Sequence, residues 1–379
     1  MKKFAIIALS LLVILTLAAC GEDGSSGTTK TVVSGIASKG PIINGTVIIY
    51  AVTDGAKGDL LAAVTTDAGG NYSADLGSYT GPVMVEASGS YLDEATGEFK
   101  TVPADSPLRA ALPAAQGMVS LPVTPITELA YIKTGGTLTP DSISAANSLV
   151  SSLFKVNIVA TLPVAPTAGA LAGATQAQQD YTLALATISQ VVKDAGGNLT
   201  DTLNTLAQSI TTTGMSSDAA ATVQAALTTF VTTNTNNQTG VTNTSSTGLT
   251  NIGTLSKSYK LSLQGGFSPG SVTGLQFNLS LPAGVTLDVN NSTSAVLASS
   301  LVLSGNAPTD ALLATRYANG TVTIGILTTS GFSVGEIATL TCNIPAGVST
   351  PSASSFSATN LRSIDKNGVT VAGASISIQ

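Results

Sequence analysis

Both ends of this chain alternate apolar and polar side chains with a period of two, while its middle repeats them at three and four. A strand and a helix are the two backbones with those periods, so one layer architecture cannot hold the whole sequence. Val47, Ile49 and Ala51 share one strand face, Ile48 and Tyr50 the other, and a second pair of strands brackets Asp67-Ala68-Gly69-Gly70-Asn71. From Tyr259 to Gln379 the alternation returns in Leu275, Phe277, Leu279 and Leu281, then in Val322, Ile324 and Ile326. Val369 to Ile378 makes a closing strand after the Asp365-Lys366-Asn367-Gly368 turn. Eight or nine such strands over about 120 residues predict a jelly-roll or related sandwich.

Between these ends, Ile143, Ala146, Leu149, Val150 and Leu153 follow Thr139-Pro140, an N-cap with proline in the first helical position. Tyr181, Leu185, Ile188, Val191 and Val192 predict a second helix from Gln176 to Lys193, stopped by Gly196-Gly197. Segments from Leu199 to Ile210 and from Ser217 to Val231 carry stripes of the same kind. Four helices of this length predict a small bundle.

At 379 residues the chain exceeds what one core can serve. The expected organisation is multidomain and mainly β. A signal peptide covers 1–19, a lipidated flexible tether 20–30 and an N-terminal β-sandwich 31–102. A helical domain follows over 103–233, then a Thr/Asn/Ser-rich linker over 234–254 and a C-terminal β-sandwich over 255–379.

The first twenty residues have a chemistry of their own. Lys2 and Lys3 precede an almost unbroken apolar run from Phe4 to Leu17, and Leu17-Ala18-Ala19-Cys20 closes it with small residues before a cysteine. This is the layout of a secretory signal. The tetrapeptide resembles the lipobox of bacterial lipoproteins, which implies cleavage before Cys20 and lipidation of its sulfur and new amino group. Two or three acyl chains anchor firmly where one does not. By the same resemblance, Gly21 in place of an inner-membrane-retaining aspartate implies the outer membrane of a Gram-negative bacterium.

Composition narrows the function. Without Lys2 and Lys3, 13 of the 15 basic residues remain against 21 acidic ones, a net charge of −8. Such a chain has no electrostatic footprint for nucleic acid. It contains no histidine, which removes the usual general base, the Ser-His-Asp triad and most zinc sites. With Cys20 lipidated, Cys342 has no disulfide partner. It lies on a strand face with Leu340 and Ile344 and reads as a small buried apolar residue.

Two modules resemble known families. Gly35 to Val47 (Gly-Ile-Ala-Ser-Lys-Gly-Pro-Ile-Ile-Asn-Gly-Thr-Val), Val64-Thr65-Thr66-Asp67 and Gly70-Asn71-Tyr72 resemble the carboxypeptidase-regulatory, transthyretin-like module. That resemblance implies a structural spacer or adhesin module with no catalytic residues of its own. Gly274 to Val285, Val322-Thr323-Ile324-Gly325 and Gly331 to Leu340 resemble the cohesin module. It implies a sandwich related to carbohydrate-binding modules that receives a dockerin-type protein on a flat sheet face. These are scaffold positions, and no motif marks the residues that touch a partner.

The remaining signals are weak. Lys39, Glu86 and Asn44 have the residue types of an intramolecular isopeptide trio, without supportive spacing. Asp93, Glu94 and Glu98 cluster near Gly97 in a predicted solvated acidic turn. Asp288, Asp310 and Asp365 are the first carboxylates to consider for calcium in the C-terminal domain, although Asp365 to Gly368 lacks the spaced carboxylates of a calcium loop. Tyr259 and Tyr317 are candidate carbohydrate contacts in a chain without tryptophan. No catalytic residue, cofactor or metal ligand is expected. The expected function is a non-catalytic cell-surface lipoprotein displaying a cohesin-like domain to a dockerin-type protein or surface assembly. The alternative is an adhesin binding polysaccharide or matrix with the same fold.

Replacing Cys20 by Ala is expected to prevent maturation, so that intact mass shows a precursor retaining residues 1–19 and no acyl chains. Cys20→Ala protein that was still acylated would place the lipid elsewhere.

Overall fold

The structure, a computed structural model, describes residues 30–379 apart from Asn291 and Ala346. The expected signal peptide, the lipidation at Cys20 and the tether up to residue 29 lie outside the described residues. What is described is mainly β, built from antiparallel sheets with helices between them.

The N-terminal sandwich uses eight strands: β1 (Val32–Ile36), β2 (Ile43–Thr53), β3 (Ala56–Thr65), β4 (Asn71–Asp75), β5 (Gly81–Leu92), β6 (Phe99–Val102), β7 (Leu108–Ala115) and β8 (Met118–Ser120). One sheet has the order β4-β1-β8, with β8 parallel to β1. The other runs β3-β2-β5, and β5 is long enough to pair β6 along Gly89 to Leu92 and β7 along Gly81 to Ala87. Val47, Ile49 and Ala51 point into the core as their alternation predicts.

Six helices follow: α1 (Pro125–Lys133), α2 (Pro140–Phe154), α3 (Ala168–Ala172), α4 (Gln176–Ala195), α5 (Leu199–Ser209) and α6 (Ser217–Thr232). Between α5 and α6 a short hairpin pairs β9 (Ile210–Thr211) with β10 (Gly214–Met215). The Thr139 side chain caps α2 with Pro140 in its first turn, and Gly196 ends α4 in the left-handed conformation. Helix α1 was not apparent from periodicity. It is marked by its capping box, in which Thr124 and Thr127 bond each other's backbone N–H.

The boundary expected after residue 102 is corrected by strand pairing. β7 and β8 belong to the sandwich, and its core continues without interruption from Val33 through the helices to Ile252. The helices form a layer on the sandwich rather than a separate bundle. On its outward side the larger sheet buries Met84 and Ala111 against Leu138 and Ile143 of the α2 region. On α1, Glu128 receives Arg109 of β7 through both oxygens and also accepts the Arg109 backbone N–H at 2.7 Å.

The linker expected over 234–254 is likewise ordered. Leu249 and Ile252 are fully buried, and Asn237 bonds the carbonyls of Val231 and Val241. Asn and Thr side chains here satisfy backbone groups that a flexible segment would leave to water.

The C-terminal sandwich contains β11 (Leu255–Gln264), β12 (Val272–Ser280), β13 (Leu301–Leu303), β14 (Leu312–Ala318), β15 (Thr321–Phe332), β16 (Gly335–Ile344), β17 (Ser357–Ile364) and β18 (Ser375–Ile378). They form two antiparallel sheets, β13-β16-β11-β18 and β14-β15-β12-β17. Asn319 and Gly320, both with positive φ, make the two-residue turn that sets the register of β14 on β15. This sandwich has a core of its own, from Tyr259 to Phe356. At the junction with the helical layer, the Lys155 ammonium donates to Thr254 O at 2.8 Å and Ser256 Oγ at 2.6 Å. Burial there pushes its pKa down to about 8.

Residues 255–379 are expected to fold alone with one cooperative thermal transition, since their core recruits no residue from outside. A broad, non-cooperative melt that sharpens only when residues 103–254 are added would show that the two cores are one folding unit.

Candidate functional site

The alternation that fills the C-terminal core also decides what its other face presents. With Leu275, Phe277 and Leu279 of β12 and Val322, Ile324 and Ile326 of β15 inward, the intervening residues face away. Strand register aligns these outward residues in rows across the sheet. Leu312, Leu327, Gly274 and Ile364 form one row; Ala314, Gly325, Gln276 and Arg362 form the next; Arg316, Thr323 and Asn278 begin a third.

The first row is apolar yet faces solvent: Leu312 is 73% exposed and Leu327 60%. Leu327 and Ile364 close over Gly274, where a Cβ would lie 2.7 Å from Ile364 Cγ1. At Gly325 the situation is opposite, because the nearest atom to an added Cβ is Ala314 O at 3.9 Å. The missing side chain leaves a trough of about 520 Å³, with Leu312 and Leu327 on one wall and Arg362 on the other. Its lining is aliphatic apart from Gln276 and the cation Arg362, suited to a partner that offers small apolar side chains and a carboxylate.

Asp310 fixes the edge of this face. Its carboxylate accepts from Thr328 Oγ1 at 2.8 Å, from Thr329 N at 2.7 Å and from Ser330 N at 3.1 Å. Hydrogen bonds from Thr329 and Thr328 hold it well below the usual carboxylate range. The oxygens are therefore occupied in pinning the entry to β14 against β15.

The other residues singled out in the sequence are scattered. Asp288 accepts from Asn343 at 2.8 Å and from Asn251, while Asp365 caps its own turn through Asn367 N and Val369 N, both at 2.8 Å. Among the described residues, no group of three or more Asp, Glu or Cys side chains is placed to hold a metal ion. Cys342 is buried, and its thiol is pushed up to about 12. Tyr259 is a packing residue, tilted on Phe356 at 4.5 Å with its hydroxyl donating to Pro351 O. Tyr317 packs against the core from the inner face of β14. The Leu312–Leu327 row was not legible beforehand, because only register aligns residues from four strands.

In the N-terminal sandwich the acidic turn is not solvated. Asp93 and Glu94 are buried, Glu98 alone remains outside, and between the first two sits the fully buried Lys39. Its Nζ lies 3.1 Å from Asp93 Oδ2 and 3.2 Å from Glu94 Oε2, and also bonds Ser189 Oγ of α4. Burial alone would lower the Lys39 pKa, but the charges of Glu94 and Asp93 outweigh it and hold the ammonium above its ordinary value. Burial opposes ionisation of Asp93 as well, and Lys39 again prevails to hold it low. The trio of Lys39, Glu86 and Asn44 is not assembled: Glu86 pairs with Lys57 at 2.8 Å, and Asn44 lies exposed in β2 with a positive φ.

No protein-family model matches the chain, and no curated protein matches it. Among the described residues no helix is long and apolar enough to cross a membrane.

Calcium titrated into the protein is expected to give no stoichiometric heat at micromolar concentration, since Asp288, Asp310 and Asp365 are each committed to separate local donors. A saturable one-site isotherm abolished by Asp310→Asn would reveal a site that forms only with the ion.

Proposed function

We propose that this chain is a non-catalytic surface lipoprotein that binds a protein partner through the outer face of the β14-β15-β12-β17 sheet. The observation that carries the reading is the row of Leu312, Leu327 and Ile364 beside the Gly325 trough. Two large aliphatic side chains more than half exposed, on regular strands with aligned neighbours, are the composition of an interface centre rather than of scattered surface leucines. A stable complex takes about 800 Å² from each partner, an area within reach of a four-stranded sheet face.

The cohesin resemblance supports the same assignment and suggests a dockerin-type module as the partner. Polysaccharide is the weaker reading, because sugars are gripped by aromatic faces and the rows that define this trough contain none. The N-terminal sandwich and helical layer then act as a spacer. Cys20, with its acyl chains in the outer membrane, would supply the anchor.

Purified protein used as bait in extract of its own cells is expected to recover one dominant protein carrying a dockerin-type module. Gly325→Arg fills the trough without touching the core, and Leu327→Asp places a charge in its wall. Each should weaken binding at least tenfold, about 1.4 kcal/mol, with the melting temperature little changed. Retention on polysaccharide, unaffected by either substitution, would overturn the protein-binding reading.

A further inference from the structure

The charged cluster around Lys39 has more organisation than a buried ion pair requires. Asp93 opens the loop between β5 and β6, and its two oxygens have different surroundings. Oδ1 accepts from Ala95 N at 3.2 Å, Thr96 N at 2.9 Å and Thr96 Oγ1 at 3.0 Å, all within the loop. Oδ2 faces Lys39 Nζ at 3.1 Å, with Lys100 Nζ 3.9 Å away. Glu94 Oε2 stands on the other side of the Lys39 ammonium, receiving a hydrogen bond from Ser189 Oγ.

The loop itself is clamped. The Ala95 carbonyl accepts from Lys193 Nζ at 3.0 Å, Asn234 Nδ2 at 3.0 Å and Asn236 Nδ2 at 3.2 Å. On the lysine side, Gly40 lets the chain pass against the end of β5, since a Cβ there would lie 2.3 Å from Leu92 O. Its φ of 71° is itself in the region that favours glycine.

We propose that Lys39 and Asp93 condense into an intramolecular isopeptide bond, with Glu94 carrying the proton. The ammonium passes a proton to Glu94, and the neutral Nζ attacks Cγ of Asp93. As the new C–N bond forms, negative charge grows on Oδ1, where three donors already converge. The C–Oδ2 bond then breaks. Oδ2 leaves as water with two protons, both originally on Nζ, one of them relayed by Glu94. The amide nitrogen keeps the third, and Glu94 returns to the carboxylate. Ammonium plus carboxylate gives amide plus water, with no oxidant and no co-reactant.

Two physical terms favour this. The nucleophile and electrophile are held in contact in a site without solvent exposure, so the entropy of bringing them together has been met by folding. Condensation also removes two of the three buried charges and their share of the desolvation cost, while Glu94 keeps Ser189 Oγ as its donor. Asp93 is the electrophile rather than Glu94 because only its Oδ1 has donors aligned for the carbonyl of the product.

The test is peptide mass mapping of the full-length mature protein after denaturation and tryptic digestion. Trypsin cuts after a free Lys39 but not after an acylated one. The expected product is residues 31–57 joined to residues 58–100, lighter by one water than the two peptides together. A linear 31–100 peptide has the same mass, so the branched species is identified by its two amino termini and by fragment ions that meet at Lys39 and Asp93. Lys39→Arg keeps the charge without the nucleophile. Its intact mass should exceed that of the wild type by one water beyond the Lys-to-Arg difference. Glu94→Gln should leave Lys39 free and cleavable, giving peptides 31–39 and 40–57 and an unlinked 58–100. Quantitative cleavage after Lys39 in the wild-type protein, with an unmodified 58–100 peptide, would overturn the proposal and leave a buried ion pair; this outcome requires no variant to fold.

Discussion

An ammonium group with no exposure to water must be matched by charge at the place where it is buried, and Lys39 sets that condition for the N-terminal half. The residues that meet it come from three parts of the chain: Lys39 from the segment after β1, Asp93 and Glu94 from the end of β5, and Ser189 from α4. β1 and β5 belong to opposite sheets, and α4 to the helical layer. One cation is thus shared by all three layers. Taking away one partner of a buried pair generally costs about 3–5 kcal/mol, a large share of the roughly 5–15 kcal/mol that holds a domain folded. The arrangement makes correct stacking of the layers a precondition for burying any of these charges.

The apolar core has the same logic. Residues from Val33 to Ile252 form one contiguous cluster, so the sandwich and its helices stabilise one another. The C-terminal sandwich has a core of its own and meets the helical layer through polar contacts and through Leu255 of β11, which packs against the N-terminal core. Lys155, Ser256, Asn343 and Asp288 carry that junction, and the price is a lysine whose burial depresses its pKa. A largely polar junction between two separate cores lets each fold to its own register.

Where one sheet face is buried and the other wet, the sequence was easy to read, as in Leu275 to Leu281 and Val322 to Ile326. The helices with a cap and a clear stripe were equally legible. β7 was not, because Leu108 and Ala110 face the sandwich core while Ala111 faces the helical layer, and a strand covered on both sides shows no alternation. The segment over 234–254 misled for a different reason. Its order comes from Asn and Thr side chains bonding the backbone, and composition reads such residues as a linker. The Leu312–Leu327 row and the Lys39 cluster were invisible for a third reason: their members are distant in sequence, and only strand register or loop docking brings them together. Asp93 and Glu94 looked solvated because nothing local announces that Lys39 will be placed between them.

The position of β1 has a mechanical consequence. It is the central strand of its sheet, paired with β4 on one side and with β8 on the other, and the polypeptide enters it directly from Lys30. Beyond the two ladders, Thr31 bonds Gly77 and Val32 bonds Gly117. A pull on the N-terminal end along the strand therefore loads both rows of hydrogen bonds in shear, all at once, instead of peeling them one by one as it would from an edge. Were the protein held by that end against flow or a tugging partner, the first strand would be the one placed to resist extraction.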